Sequence, residues 1–219
     1  YINLLKNYYF IDEAFNSLKK IELLNDNIDK LIPFSNNYIK AHNYNESKLI
    51  NVFEIYLLTD STKATNVINR ITNKSKPNLY NSTKIISILL KYNKINEVVK
   101  ILDRIRKDKK NNSFYSLQMG MYFSLENNII KAIEEYFFYL NNNDKNINII
   151  SNRIMTLADN ESNINTIKNT LNANKQIQSK IILSQLEFKL KNFETSYQLL
   201  DKYSDNDQLK ILFIEDLLE

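Results

Sequence analysis

Few residues of this 219-residue chain could do chemistry. His42 is the single histidine and cysteine is absent, so the sequence supplies no pair of imidazole ligands, no thiolate metal site and no thiol nucleophile. One glycine leaves no Gly-rich loop for a phosphate or a dinucleotide. The carboxylate pairs Asp12-Glu13 and Glu134-Glu135 are adjacent in sequence, and adjacent positions of a helix point in different directions. We therefore expect a protein that is not an enzyme and that uses no metal and no cofactor.

The composition favours helices. Hydrophobic residues make up 43% of the chain, enough for a continuous buried layer. One Gly and two Pro supply few of the residues that sheets with tight turns require. The net charge of +4 permits contact with polyanions without indicating it. The longest uncharged apolar runs, such as 85–90 and 136–140, fall far below the roughly 18 residues of a membrane span. We expect a soluble all-α protein with no membrane span.

The stretch 77–140 sets out how these helices are arranged. It contains two copies of one pattern, in which two apolar-periodic segments are separated by a short polar break. Val98 and Ala132 hold the same place in their copies (132 − 98 = 34), and the same step leads back to Ala64 and forward to Thr166. A period of about 34 residues built from paired helices is typical of a helical repeat solenoid.

This pattern resembles the tetratricopeptide repeat family. In that family a small residue in the first helix of a pair lets the second helix approach closely, and Gly120 falls at this position, twelve residues before Ala132. The second helix carries a small residue and a large one four positions later. Thr166/Thr170 departs from this rule, with Leu171 beside it, and four pairs fit it: Ala64/Ile68, Val98/Leu102, Ala132/Tyr136 and Ser196/Leu200. The resemblance covers about residues 45–203 and implies a right-handed α-solenoid of antiparallel helix hairpins.

We predict a single helical-repeat domain over residues 1–219. It would comprise irregular N-terminal helices at 1–58, regular repeats at 59–203 and a terminal helix at 206–219. Ala14 and Ala64 are 50 residues apart, which is not a multiple of 34, so the register shifts before residue 60. The interval from Thr166 to Ser196 is shortened to 30. Because the chain opens at Tyr1 instead of Met, we expect a fragment or a processed form, with the repeats belonging to a longer array, and its localisation stays open.

The resemblance also implies a function. First helices of the family line a concave groove that takes an extended or helical peptide, and aromatic and Met side chains are good anchors for such a partner. We therefore predict a protein–protein interaction scaffold, although several groove positions could instead pack between repeats. The Lys/Asn clamp of the family's chaperone-binding members is absent. When the groove positions of the family are transferred to this sequence, they fall on Phe53, Tyr56, Tyr80, Thr83, Ser87, Lys91, Phe114, Leu117, Met121 and Ser124.

Two other functions are compatible with the sequence. The run 77–80 and the residues near Val98 also resemble pentatricopeptide repeats, which bind RNA. There the base-reading positions would be Thr83, Leu117 and Ser151, and Leu117 cannot hydrogen-bond to a base edge. Nucleic acid is therefore a less favoured partner than a protein or a peptide. The remaining alternative is a structural spacer within a longer array. The basic loop 106–110 could contact an acidic partner, but loops of this kind are usually only solvated.

Overall fold

A computed structural model describes residues 7–73, 76–107 and 112–203 of the chain. The predicted all-α class is confirmed, since these residues form twelve α-helices and two short 3-10 helices and contain no strand. The predicted terminal helix at 206–219 lies outside the described residues. The 3-10 helices are Ile28–Lys30 and Asp144–Asn146, and the α-helices are α1 (Asp12–Leu24), α2 (Leu31–Ala41), α3 (Glu46–Thr59), α4 (Ser61–Thr72), α5 (Leu79–Lys91), α6 (Ile95–Arg106), α7 (Ser116–Leu125), α8 (Ile129–Leu140), α9 (Ile147–Leu157), α10 (Glu161–Ala173), α11 (Ile177–Lys189) and α12 (Phe193–Tyr203).

The helices form two compact units, residues 1–111 and residues 112–219. The first unit contains α1 to α6, and the second contains α7 to α12. Within each unit, helices pack on their neighbours in sequence and on the next helix but one, as α3 packs on α5 and α8 on α10. This contact pattern is compatible with stacked helix pairs. A single repeat domain running through the whole chain stays a prediction.

Asparagine and aspartate side chains begin many of the helices. Asp60 and Asn160 begin α4 and α10, where their side chains accept backbone N–H groups of Lys63 and Ser162 at 3.0 and 3.2 Å. The same contact begins three more helices, at Asn45, Asn78 and Asn128. These oxygens satisfy N–H groups that have no partner within the helix. The Asn-rich composition therefore contributes directly to the helix boundaries.

Five helices end in the same turn, which closes on a residue in the left-handed backbone region. In the turn between α7 and α8, the N–H of Asn127 bonds to Ser124 O at 3.1 Å and the N–H of Asn128 bonds to Phe123 O at 2.8 Å. Glycine usually occupies such positions, but Asn and Asp also tolerate them because their short side chains bond locally. The five residues, with their φ angles, are Asp26 (53°), Asn43 (49°), Asn93 (54°), Asn127 (54°) and Lys191 (63°).

The small residues of the predicted second helices lie where a contact between two helices requires them. Ala64 is 3% exposed, and Val98, Ala132 and Ser196 are each 0% exposed. Thr166, which departs from the pattern, is only half-buried. The large residues four positions after the fitting ones are buried as well. A short side chain at each of these positions therefore allows the two helices of a pair to approach closely.

Two pairs in the second unit show this close approach directly. A Cβ atom added to Gly120 in α7 would overlap the ring of Tyr136 in α8, so only glycine fits there. In the last pair, Ser184 Oγ donates to Ser196 O at 2.8 Å and Ser196 Oγ donates to Ser184 O at 2.7 Å. Both serines are buried, and they are twelve residues apart, like Gly120 and Ala132.

Candidate interaction surfaces

The predicted groove residues are divided between the two units, and two of those in the first unit are buried. Phe53 is 0% exposed and Tyr56 is 7% exposed. Their helix, α3, packs against α2, α4 and α5, and this arrangement covers most of its surface. The structure therefore places Phe53 in the core of the first unit, where its side chain cannot contact a partner.

The other predicted groove residues of the first unit share one face of α5. Tyr80 is 68% exposed, Ser87 and Lys91 are exposed, and Thr83 is half-buried. Their positions differ by three or four, so they follow one side of the helix. Lys84 lies beside this face with its Nζ 4.5 Å from the centre of the Tyr80 ring. The face is open and carries one large aromatic side chain.

The charge of Lys91 is engaged by a buried carboxylate. Lys91 Nζ donates to Glu54 Oε1 at 2.6 Å, the Tyr92 hydroxyl donates to the same oxygen at 2.9 Å, and Lys19 Nζ lies 3.7 Å from Glu54 Oε2. Burial alone raises the pKa of Glu54, but these hydrogen bonds and charges together outweigh it and lower that pKa below its ordinary value. This network connects α1, α3 and α5 within the first unit, which is a structural role.

A second polar network contains the single histidine. Tyr38 donates its hydroxyl to Asp12 Oδ1 at 2.6 Å, and Lys48 donates to the other oxygen of Asp12. His42 follows the end of α2 with 29% of its side chain exposed. Its Nε2 lies 2.8 Å from Phe10 O and 3.9 Å from Asp12 Oδ1. Burial and the hydrogen bond to Asp12 raise the pKa of Tyr38. This cluster connects α1, α2 and α3.

A positively charged pocket of about 480 Å³ lies between α2, α3 and α4. Its cations are Lys40, Lys63 and Arg70, and none of the described residues that line it is acidic. Lys63 Nζ lies 3.6 Å from Asp60 just outside, whereas Lys40 and Arg70 form no ion pair in the described part of the chain. Three amides and two tyrosines complete the polar lining, namely Asn36, Asn37, Asn66, Tyr44 and Tyr56. We call this site the basic pocket.

In the second unit, a pocket of about 220 Å³ lies between α7, α8 and α9. It brings together two predicted groove residues, Met121 and Ser124, while Phe114 and Leu117 do not line it. Met121 is 41% exposed and the neighbouring Leu125 is 87% exposed. We call this site the α7–α9 pocket, and its lining is Met121, Ser124, Leu125, Tyr136, Arg153, Thr156 and Leu157.

Sequence reasoning missed Arg153, the one cation among the described residues that line the α7–α9 pocket. Its Nε is enclosed and has no hydrogen-bond partner, and the described residues form no ion pair with it. Asp159, the next acidic residue along the chain, already forms an ion pair with Lys189, with 2.5 Å between Nζ and Oδ1. Position 153 lies 33 residues after Gly120, one short of the predicted interval of 34, so that interval would place it on the first helix of the next predicted pair.

The described residues hold no group of three or more His, Asp and Glu side chains that could bind a metal ion. A search of the same residues finds no helix with the length and hydrophobicity needed to cross a membrane. No family model matches the chain, and no curated protein matches its sequence.

Proposed function

We propose that this protein is a non-catalytic interaction scaffold, built as a right-handed α-solenoid of tetratricopeptide-like repeats, that binds a peptide or a helix of a partner protein. The α7–α9 pocket carries the proposal. Met121 and Ser124 stand at predicted groove positions of one first helix, and they line the same pocket as Arg153 and Thr156 of the next first helix. A groove between successive first helices is where the repeats that this sequence resembles bind peptides.

Equivalent turns and a hydrogen bond that recur at the predicted interval of 34 residues support the solenoid. Asn93 and Asn127 close equivalent turns in left-handed conformation and are 34 residues apart (127 − 93 = 34). Lys191 follows Asn127 by 64 residues, which equals one interval of 34 and the shortened interval of 30. In the second unit, Lys189 donates to Met155 O at 3.0 Å across another separation of 34.

The exposed side chains of the α7–α9 pocket suit a peptide. Leu125 and Met121 offer apolar surface next to a recess large enough for one or two side chains. Burying a partner's Leu or Phe against such surface stabilises a complex by about 1.5–3 kcal/mol. Met adapts its shape to different partners because it is unbranched.

A selection of displayed peptides on the immobilised full chain tests this function. We expect enriched peptides whose binding weakens about tenfold or more with Leu125→Glu, which corresponds to about 1.4 kcal/mol. Ile177→Glu is the matched control, because Ile177 is 58% exposed in the same unit but lies outside the pocket. Equal weakening by both variants, or a selection that enriches no peptide, would contradict the proposal.

The basic pocket favours a second candidate function, RNA binding. Proteins that bind single-stranded nucleic acid combine cations along the backbone with aromatic side chains for stacking. Lys40, Lys63 and Arg70 supply the cations, and Tyr44 is 52% exposed. The test is a titration with labelled oligouridylate at two salt concentrations. Affinity that falls steeply with salt and with Arg70→Glu, but not with Lys30→Glu elsewhere in the first unit, would favour this function.

A further inference from the structure

The α7–α9 pocket contains a cation, Arg153, whose Nε is enclosed and has no hydrogen-bond partner in the described part of the chain. From it we infer that Arg153 receives an internal Asp or Glu side chain of the partner peptide, seated beside an apolar side chain of the same peptide. This inference rests on the proposed scaffold function and names the chemistry of its ligand.

The first argument compares the hydrogen-bond and ion-pair partners of Arg153 with those of other cations in the same unit. Lys168 lies 2.8 Å from Glu187, Lys189 is paired with Asp159, and Lys180 donates to the carbonyl of Asn172 at 2.6 Å. Within the described part of the chain Arg153 has no such partner, although its Nε is enclosed. An enclosed donor without an acceptor is unfavourable, and the charge of the same guanidinium has no counter-charge in the described part of the chain. A carboxylate bound at the terminal N–H groups would supply that counter-charge.

The second argument concerns which donors in the pocket are free. Ser124 Oγ donates to Gly120 O at 2.8 Å, so the Tyr136 hydroxyl donates to Ser124 Oγ across their 2.9 Å contact. Thr156 Oγ1 donates to Asn152 O at 3.0 Å. Each of these hydroxyl protons is therefore engaged within the protein. The guanidinium is left as the donor for a ligand, and its planar fork matches a carboxylate.

The third argument is the apolar surface beside the guanidinium. Met121, Leu125 and Leu157 line the same pocket, and none of the described lining residues is acidic. The volume of about 220 Å³ suits one or two side chains and not a folded element. Charge complementarity and shape together point to an acidic residue with an apolar neighbour.

An array of synthetic peptides tests the inference on the full chain. Each peptide carries Leu at a fixed position and Glu, Gln or Lys beside it, with Ser and Gly elsewhere. We expect the unmodified protein to bind the Glu peptides about tenfold more tightly than the Gln peptides, a difference of about 1.4 kcal/mol. Arg153→Gln should abolish this preference, and Arg153→Glu should transfer it to the Lys peptides. Lys145→Gln, at an exposed position of the same unit outside the pocket, should leave it unchanged.

The outcomes separate this inference from the function on which it rests. Peptides that bind without preferring Glu, yet weaken with Leu125→Glu, overturn the role of Arg153 and leave the scaffold intact. If no peptide binding depends on Leu125, both proposals fail. If oligouridylate displaces the Glu peptides from unmodified protein but not from Arg153→Gln, the pocket binds nucleic acid and the inference is wrong. The comparison of Glu with Gln peptides needs no variant, so equal binding of the two overturns the inference even if Arg153→Gln fails to fold.

Discussion

The ring of Tyr136 lies against the backbone of Gly120, where its edge fills the space that a Cβ atom would take. Tyr136 is 1% exposed and its hydroxyl is bonded to Ser124, so the ring has no room to turn away. The two residues bring α7 and α8 together at the position where the repeat pattern calls for a small side chain.

Substitution of Gly120 should therefore destabilise the protein. We expect Gly120→Leu to lower the free energy of unfolding by about 1–3 kcal/mol because it overpacks this contact. Gly120→Ala is the more informative variant, because in an ordinary helix this change stabilises by about 1 kcal/mol, whereas here we expect it to destabilise the protein. Urea denaturation of both variants measures the effect. A stabilised Gly120→Ala would mean that α7 and α8 do not meet here. Gln118→Ala, at an exposed position of α7, is the control and should have little effect.

Truncation of Phe53 should destabilise the protein strongly, whereas truncation of Tyr80 should leave its stability almost unchanged, although both occupy predicted groove positions. Phe53 is fully buried, so Phe53→Ala should cost about 3–5 kcal/mol through lost contacts and the cavity left behind. Tyr80 is 68% exposed, so Tyr80→Ala should change stability by no more than about 0.5 kcal/mol. Thermal and urea denaturation of the two variants compare them. Similar losses for both would show that Tyr80 is also packed.

The buried carboxylate of Glu54 should contribute to the loss of stability in acid. Its pKa in the folded protein lies below the ordinary value, so its contribution is present above about pH 4.5 and is lost as the pH falls through the folded pKa. Glu54→Gln should be less stable than the unmodified protein at pH 7, and the difference should shrink between about pH 5 and pH 3. Urea denaturation across this range measures it. A constant difference would show that the ion pairs with Lys91 and Lys19 do not stabilise the fold.

Lys191 holds a left-handed backbone conformation without the advantages of Asn or Gly. Its φ is 63°, and an ordinary side chain in that region costs roughly 1–2 kcal/mol. We expect Lys191→Gly to raise the free energy of unfolding by about 1 kcal/mol, because part of the relief is offset by the greater freedom of glycine in the unfolded chain. Asn93→Gly, at the equivalent turn of the first unit, is the comparison and should gain less. A loss of stability with Lys191→Gly would contradict the turn geometry.

Local patterns in the sequence determined the class of this fold and several of its contacts. Scarcity of Gly and Pro together with helical periodicity predicted an all-α protein, and the spacing of small residues identified positions 64, 98, 132 and 196, which are buried. Gly120 was predicted to lie at a close helix contact, and the structure supplies Tyr136 as its partner. These features depend on spacings within one or two helices, which a sequence records directly.

Only the tertiary structure decided which helix faces are covered. The apolar positions of α3 and α5 look alike in sequence, and each helix packs against three others. Phe53 nevertheless lies on a covered face and is buried, while Tyr80, in the first turn of α5, stays exposed. Arg153 was missed for the same reason. Whether a cation has a partner depends on residues from three helices that meet at the α7–α9 pocket. Burial and charge pairing arise from contacts between helices distant along the chain, and the spacing within a single helix does not contain them.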